Sequence, residues 1–109
     1  MSELSREAQD LQAQLTRQFI ATLPEKRASL EASWNQVRAS QWSPETLAQL
    51  RILAHKLAGS AGSYGFEELG ALALNLDVAL DSEVSSKEQR LLIERQTVNL
   101  IEALVEVEE

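Results

Sequence analysis

The spacing of apolar residues constrains this chain more than any other feature, because they recur in steps of three and four almost from end to end. Leu4, Ala8, Leu11, Leu15 and Phe19 form one stripe, and Leu30, Trp34 and Val37 a second. Leu47, Leu50, Ala54, Leu57 and Ala61 carry a third, and Leu69, Leu72, Ala73, Leu76 and Leu80 a fourth. Leu91, Val98, Ile101 and Val105, with Leu100 and Leu104 alongside, make a fifth. Such steps keep side chains on one face of an α-helix, and no segment alternates with period two as a half-buried strand would. The sequence predicts an all-α fold.

Punctuation sets the expected boundaries. Pro24 disfavours helix in the residue before it and suits the first turn of a new one, so the first helix is expected to end or kink near Leu23. The second stripe runs out at Ala39-Ser40-Gln41-Trp42, with Trp34 and Trp42 as large anchors in or beside the core. Ser43-Pro44-Glu45-Thr46 reads as a helix start: a hydroxyl to cap, proline at the first position and an acid in the first turn. Gly65 can adopt the left-handed conformation that ends a helix, with Phe66 packing back over the turn. The polar stretch Asp81 to Ser86 is the expected loop before the last helix. The economical arrangement is an antiparallel up-and-down four-helix bundle with an additional N-terminal helix across or beside it. At 109 residues and 44% apolar composition the chain reads as one domain, 1–109, with its core over about 8–107.

Composition narrows the function. Ten Lys and Arg against seventeen Asp and Glu leave a net charge of −7, which repels a phosphate backbone and argues against nucleic acid. With no cysteine and one histidine, neither a thiolate nor a zinc site is expected. The apolar run within Ala71 to Leu80 is interrupted by Asn75 and Asp77, and the first residues lack the pattern of a signal peptide. A cytoplasmic, membrane-free protein is expected, and a monomer, since no long uncovered heptad stripe is evident.

One segment breaks a local rule. Gly59 and Gly62 lie inside the third predicted helix, where each glycine costs about 0.8–1 kcal/mol relative to alanine. At about 100° per residue both fall within roughly 40° of His55, flattening the surface beside it. The stripe of Leu50, Ala54, Leu57 and Ala61 centres roughly 110–140° away, so the imidazole points out of the bundle or along its edge. Ala48 and Ile52 share that side, with Arg51 and Lys56 at its rim, giving a docking face with a nucleophile at its centre. A neutral imidazole keeps a lone pair on one nitrogen and can attack a phosphoryl group directly. Counted from a turn near Gly65, His55 and Asp77 stand ~15 Å and ~18 Å away on adjacent antiparallel helices, at nearly the same height. On residues alone, an ordinary bundle whose glycines serve tight helix packing, with an incidental histidine, stays open beside this reading.

At these residues the sequence resembles the histidine phosphotransfer (HPt) domain family. Its motif is a histidine followed by an aliphatic residue, a basic residue, glycine, small residues and a glycine-terminated turn; here it reads His55, Leu57, Ala58, Gly59, Ser60, Ala61, Ser63 and Gly65. The likeness runs from Leu53 through Phe66, extends by helix order over about residues 8–107, and includes the phosphotransfer domain at the start of chemotaxis histidine kinases. The resemblance implies that His55 accepts a phosphoryl group on its ε nitrogen from a receiver-domain aspartate or a histidine kinase and passes it to another receiver. The receiver would belong to a response regulator or a hybrid sensor kinase. It implies no cofactor on this chain, with the magnesium ion carried by the receiver. It makes Ala48, Ile52, Ala58, Gly59, Gly62 and Ser63 the receiver-docking surface, and gives Asp77 the position of a side chain that hydrogen-bonds the δ nitrogen. Many members carry lysine where this sequence has Ala58; Lys56 or Arg51 would substitute, and the change bears on transfer rate or phosphohistidine stability. It also keeps open a non-catalytic module that binds a receiver without being phosphorylated.

Overall fold

The structure, a computed structural model, describes residues 3–108, with side chains from Ser5 onward. The Leu4 side chain and the extreme ends of the expected 1–109 domain lie outside the described residues. Four helices follow in order: α1 (Glu3–Ala39), α2 (Pro44–Ser63), α3 (Glu67–Asp81) and α4 (Lys87–Glu108). Each packs on its neighbours in the chain and α4 closes back on α1, which makes an up-and-down, all-α bundle. Its core joins Leu23, Leu30 and Val37 of α1, Leu50, Ala54, Leu57 and Ala61 of α2, Leu69, Ala73, Leu76 and Leu80 of α3, and Ile93, Leu100 and Leu104 of α4.

The helix does not end near Leu23. α1 runs through Pro24 as one helix, so the additional N-terminal helix and the first bundle helix are continuous. Phe19, Leu23 and Leu30, all buried, clamp the helix to the bundle on both sides of the proline. Pro24 itself is exposed, so the backbone hydrogen bond that it cannot make is lost on the side where water can replace it. Phe19 stacks on Tyr64 at 4.8 Å and meets Phe66 at 5.4 Å, against the turn between α2 and α3. The helix therefore overruns the bundle end, lengthening the molecule to 56 × 21 × 20 Å. In that overrun Ala8 is exposed and Leu11 is 56% exposed, although both belong to the predicted stripe.

The other boundaries have local causes. Ser43 caps α2, its Oγ accepting from the Thr46 N–H at 3.3 Å, with Pro44 in the first turn. At the far end Gly65 takes φ +81°, and the N–H groups of Phe66 and Gly65 donate to the carbonyls of Ala61 and Gly62 at 2.9 and 3.2 Å. That is a Schellman closure, which turns the chain back on itself. α4 opens on a capping box: the Gln89 N–H donates to Ser86 Oγ at 3.1 Å, and the Ser86 N–H returns a bond to Gln89 Oε1 at 2.9 Å. The inward face of α4 differs from the predicted stripe. Ile93, Thr97, Leu100 and Leu104 are buried, whereas Leu91, Val98 and Val105 face solvent. The buried set keeps a helical period once Thr97 is admitted, which it is because its hydroxyl donates to the Ile93 carbonyl at 2.7 Å. An uncovered stripe therefore does exist on α4, contrary to the premise behind the expected monomer. Arg27 ties α1 to the end of α4, its Nε and second terminal nitrogen donating to both carboxylate oxygens of Glu108 at 2.7 and 3.2 Å.

Candidate functional site

The turn at Gly65 sets the register in which α2 and α3 run past each other. A Cβ placed on Gly70 would lie 3.4 Å from the Gly62 nitrogen and 3.6 Å from the Ala58 carbonyl oxygen, so the two backbones approach closely there. Farther along the same pair, His55 comes opposite Asp77 and Arg51 opposite Asp81. Gly59 and Gly62 are different: a Cβ on either would meet nothing within 4 Å. Tight helix packing therefore does not account for them. Gly70 instead lies where α2 and α3 come into contact, a place that was not evident from the apolar pattern.

His55 projects from α2 with its side chain 75% exposed, while its partner Asp77 keeps only 9% of its side chain in contact with solvent. Nδ1 of His55 lies 2.9 Å from Asp77 Oδ2. A carboxylate can only accept, so Nδ1 carries a proton and donates, which in the neutral ring leaves the lone pair on Nε2. The other oxygen, Asp77 Oδ1, accepts from Arg51 Nε at 3.0 Å, and a terminal nitrogen of Arg51 reaches Asp81 Oδ1 at 2.8 Å. The Asp77 carboxyl is held below the ordinary aspartate range. The hydrogen bond from His55 is the main cause; burial works against it, and the bond from Arg51 reinforces it. Asp77 is therefore a buried anion with both oxygens engaged, one by a fixed guanidinium and one by the exposed ring.

The surface around the imidazole is low and apolar. Ala58, Gly59 and Gly62 of α2 and Gly70, Ala71 and Leu74 of α3 line a concavity beside it, with Glu67 at one end. Ala48, Ile52, Arg51 and Lys56 border the ring on the other side. Ile52 is 53% exposed and Ser63, also exposed, donates its hydroxyl to the Gly59 carbonyl at 3.0 Å. Lys56 lies round the helix toward α1, along a groove shared with Thr22, Glu25, Lys26 and Ser29. Among the described residues it has no ion-pair partner, whereas Arg51 is taken up by two carboxylates. Leu74 and Val78 were not singled out from the sequence, yet they stand 51% and 63% exposed on α3. Their signal was present: they are one helical turn apart and lie off the Leu69, Leu72, Ala73, Leu76 and Leu80 stripe.

Fold and site together define a helical bundle that presents one surface imidazole, hydrogen-bonded to a buried carboxylate from the next helix, beside a strip of small residues flanked by exposed aliphatic side chains. A family model described as Hpt domain matches residues 14–108. The chain belongs to the Hpt domain family, which serves phosphotransfer in two-component signalling and whose members interact with receiver domains or kinases. Comparisons with curated proteins and with solved structures returned no match. Among the described residues no helix is long and apolar enough to cross a membrane.

Proposed function

We propose that this Hpt domain is a phosphorelay intermediate in which Nε2 of His55 accepts a phosphoryl group from a receiver aspartyl phosphate, or from a histidine kinase, and returns it to a receiver aspartate. The observation that carries the reading is the bond between Nδ1 of His55 and Asp77 on an otherwise exposed ring. The Nε2 lone pair attacks phosphorus in line, the Nε2–P bond forms, and the bond from phosphorus to the carboxylate oxygen breaks with its electron pair leaving on the receiver aspartate. No proton need move. The ring gains positive character as it is phosphorylated, and Asp77 stabilises that charge through the Nδ1–H it already accepts. Reversal of the same steps discharges the phosphoryl group to the next receiver.

Ala48, Ile52, Ala58, Gly59, Gly62 and Ser63 form the docking surface in this reading, and Leu74 and Val78 extend it onto α3. Small residues let the receiver's aspartate approach the imidazole, and the exposed aliphatic groups supply apolar contact. With Ala58 where many relatives have lysine, Lys56 is the uncommitted cation beside the ring; the magnesium ion belongs to the receiver. We place the domain in the cytoplasm, where receivers work.

The test mixes the purified chain with a phosphorylated receiver domain and follows radiolabelled phosphate. Acid-labile, base-stable label on the wild type and none on His55→Gln is the expected result. Acid-stable label, or label retained in the variant, overturns the assignment. Receiver binding by both proteins with no label on either would instead identify a non-catalytic interaction module.

A further inference from the structure

Arg51 stands at the rim of the docking face, where a cation invites the assumption that it meets the incoming phosphoryl group. The geometry points to another role: we infer that Arg51, braced by Asp81, is a positioning residue that locks the Asp77 carboxylate in the plane from which it holds His55 with Nε2 unprotonated. This rests on His55 being the phosphoryl acceptor, and it adds a second layer behind the histidine and its carboxylate.

Three observations support it. Asp77 and Asp81 are one turn apart on α3, and Arg51 and His55 are one turn apart on α2, so two donors face two acceptors in one antiparallel register. Like charges at this spacing repel and destabilise a helix, and here a single guanidinium lies between them. Next, the two oxygens of Asp77 are divided between partners: Oδ1 accepts from Arg51 at 3.0 Å and Oδ2 meets His55 Nδ1 at 2.9 Å. An aspartate has a broad terminal rotor, so a bond to one oxygen fixes the direction of the other. Finally, Arg51 reaches Asp77 through Nε and Asp81 through a terminal nitrogen, which uses the planar fork that distinguishes arginine from lysine.

The experiment uses the full chain with 15N-labelled histidine. Long-range proton–nitrogen spectra, recorded about two pH units above the ordinary imidazole range, report which ring nitrogen carries the proton. The wild type is expected to show the Nδ1–H form. Arg51→Gln, on an exposed side chain, is expected to fold normally and shift the population toward the Nε2–H form. Asp81→Asn, which leaves the Asp77 contact but removes the brace, is expected to shift it less. Arg51→Lys keeps the charge without the fork and is expected to fall between Gln and wild type. In phosphotransfer the Arg51→Gln protein should lose about tenfold in the saturating rate with little change in the receiver concentration for half-maximal rate. Unchanged tautomer populations in Arg51→Gln overturn the proposal, as does a variant impaired only in receiver affinity, which would make Arg51 a docking contact. If the wild type is never phosphorylated, the relay reading fails, while the tautomer spectra still decide whether Arg51 orients the ring through Asp77.

Discussion

Two arginines in this bundle bind carboxylates on a neighbouring helix, and only one of them shapes a reactive group. Arg27 of α1 takes both oxygens of Glu108 at the end of α4 and a third oxygen from Glu31 on its own helix. Neither oxygen of Glu108 is left over, and the result is a clasp between the first and last helices. Arg51 takes one oxygen of Asp77 and one of Asp81, so Asp77 keeps an oxygen for the exposed imidazole. The same ion chemistry thus gives a fastener in one place and an oriented acceptor in the other. What differs is how the carboxylate oxygens are shared, and that depends on which side chains the helix register brings opposite one another.

The sharpest test of this contrast removes the two acids. Asp77→Ala should slow phosphotransfer by about a hundredfold while the protein remains folded by circular dichroism, since loss of the tautomer-fixing partner has large effects in other imidazole catalysts. Glu108→Ala should leave the transfer rate where it was. An unaltered rate in Asp77→Ala would erase the distinction between the two pairs.

Next in size are changes to the glycines that set the register and the approach. Gly70→Leu forces side-chain atoms between α2 and α3, and urea unfolding should show a loss of about 1–3 kcal/mol. Gly59→Ala meets open space and replaces a poor helix former, so stability should rise by up to about 1 kcal/mol while receiver binding weakens. A stability loss in Gly59→Ala would move that residue from the docking surface into the packing.

Acid should separate the pairs more gently. Because the folded Asp77 carboxyl titrates below its ordinary value of about 3.9, the unfolded chain takes up that proton first. The stability contributed by Asp77 is complete above that ordinary value and is lost as pH falls through the lower folded one. Unfolding free energies measured from neutral pH down into that window should decline less steeply in Asp77→Asn than in the wild type. Equal slopes would deny that the carboxyl is depressed by the fold. The smallest effect is expected from Arg27→Gln, a modest fall in the urea midpoint that shrinks in high salt, with phosphotransfer unaffected.

Much of this architecture was legible from residues in order. The Ser43-Pro44-Glu45 start, the Gly65 stop and the stripes of α2 and α3 each rest on interactions within a few positions, so local rules suffice. The outward direction of His55 was readable for the same reason, since it follows from its angle to Leu50, Ala54, Leu57 and Ala61 on one helix. Pro24 was misleading because its helix-breaking tendency is also local, whereas the burial of Phe19, Leu23 and Leu30 that overrides it is supplied by other helices. The inward face of α4 escaped as well, because Thr97 reads as polar until its hydroxyl is seen bonded to the Ile93 carbonyl.

Periodicity and the spacing from Gly65 were enough to bring His55 and Asp77 to one height on neighbouring helices. They could not decide that the carboxylate would be buried while the imidazole stayed exposed, or that Arg51 would be spent on two acids and not left free for a phosphoryl group. Those outcomes depend on how closely α2 and α3 approach at Gly70 and how each helix is rotated about its axis. Many weak contacts settle such distances jointly, and no single stretch of sequence contains them.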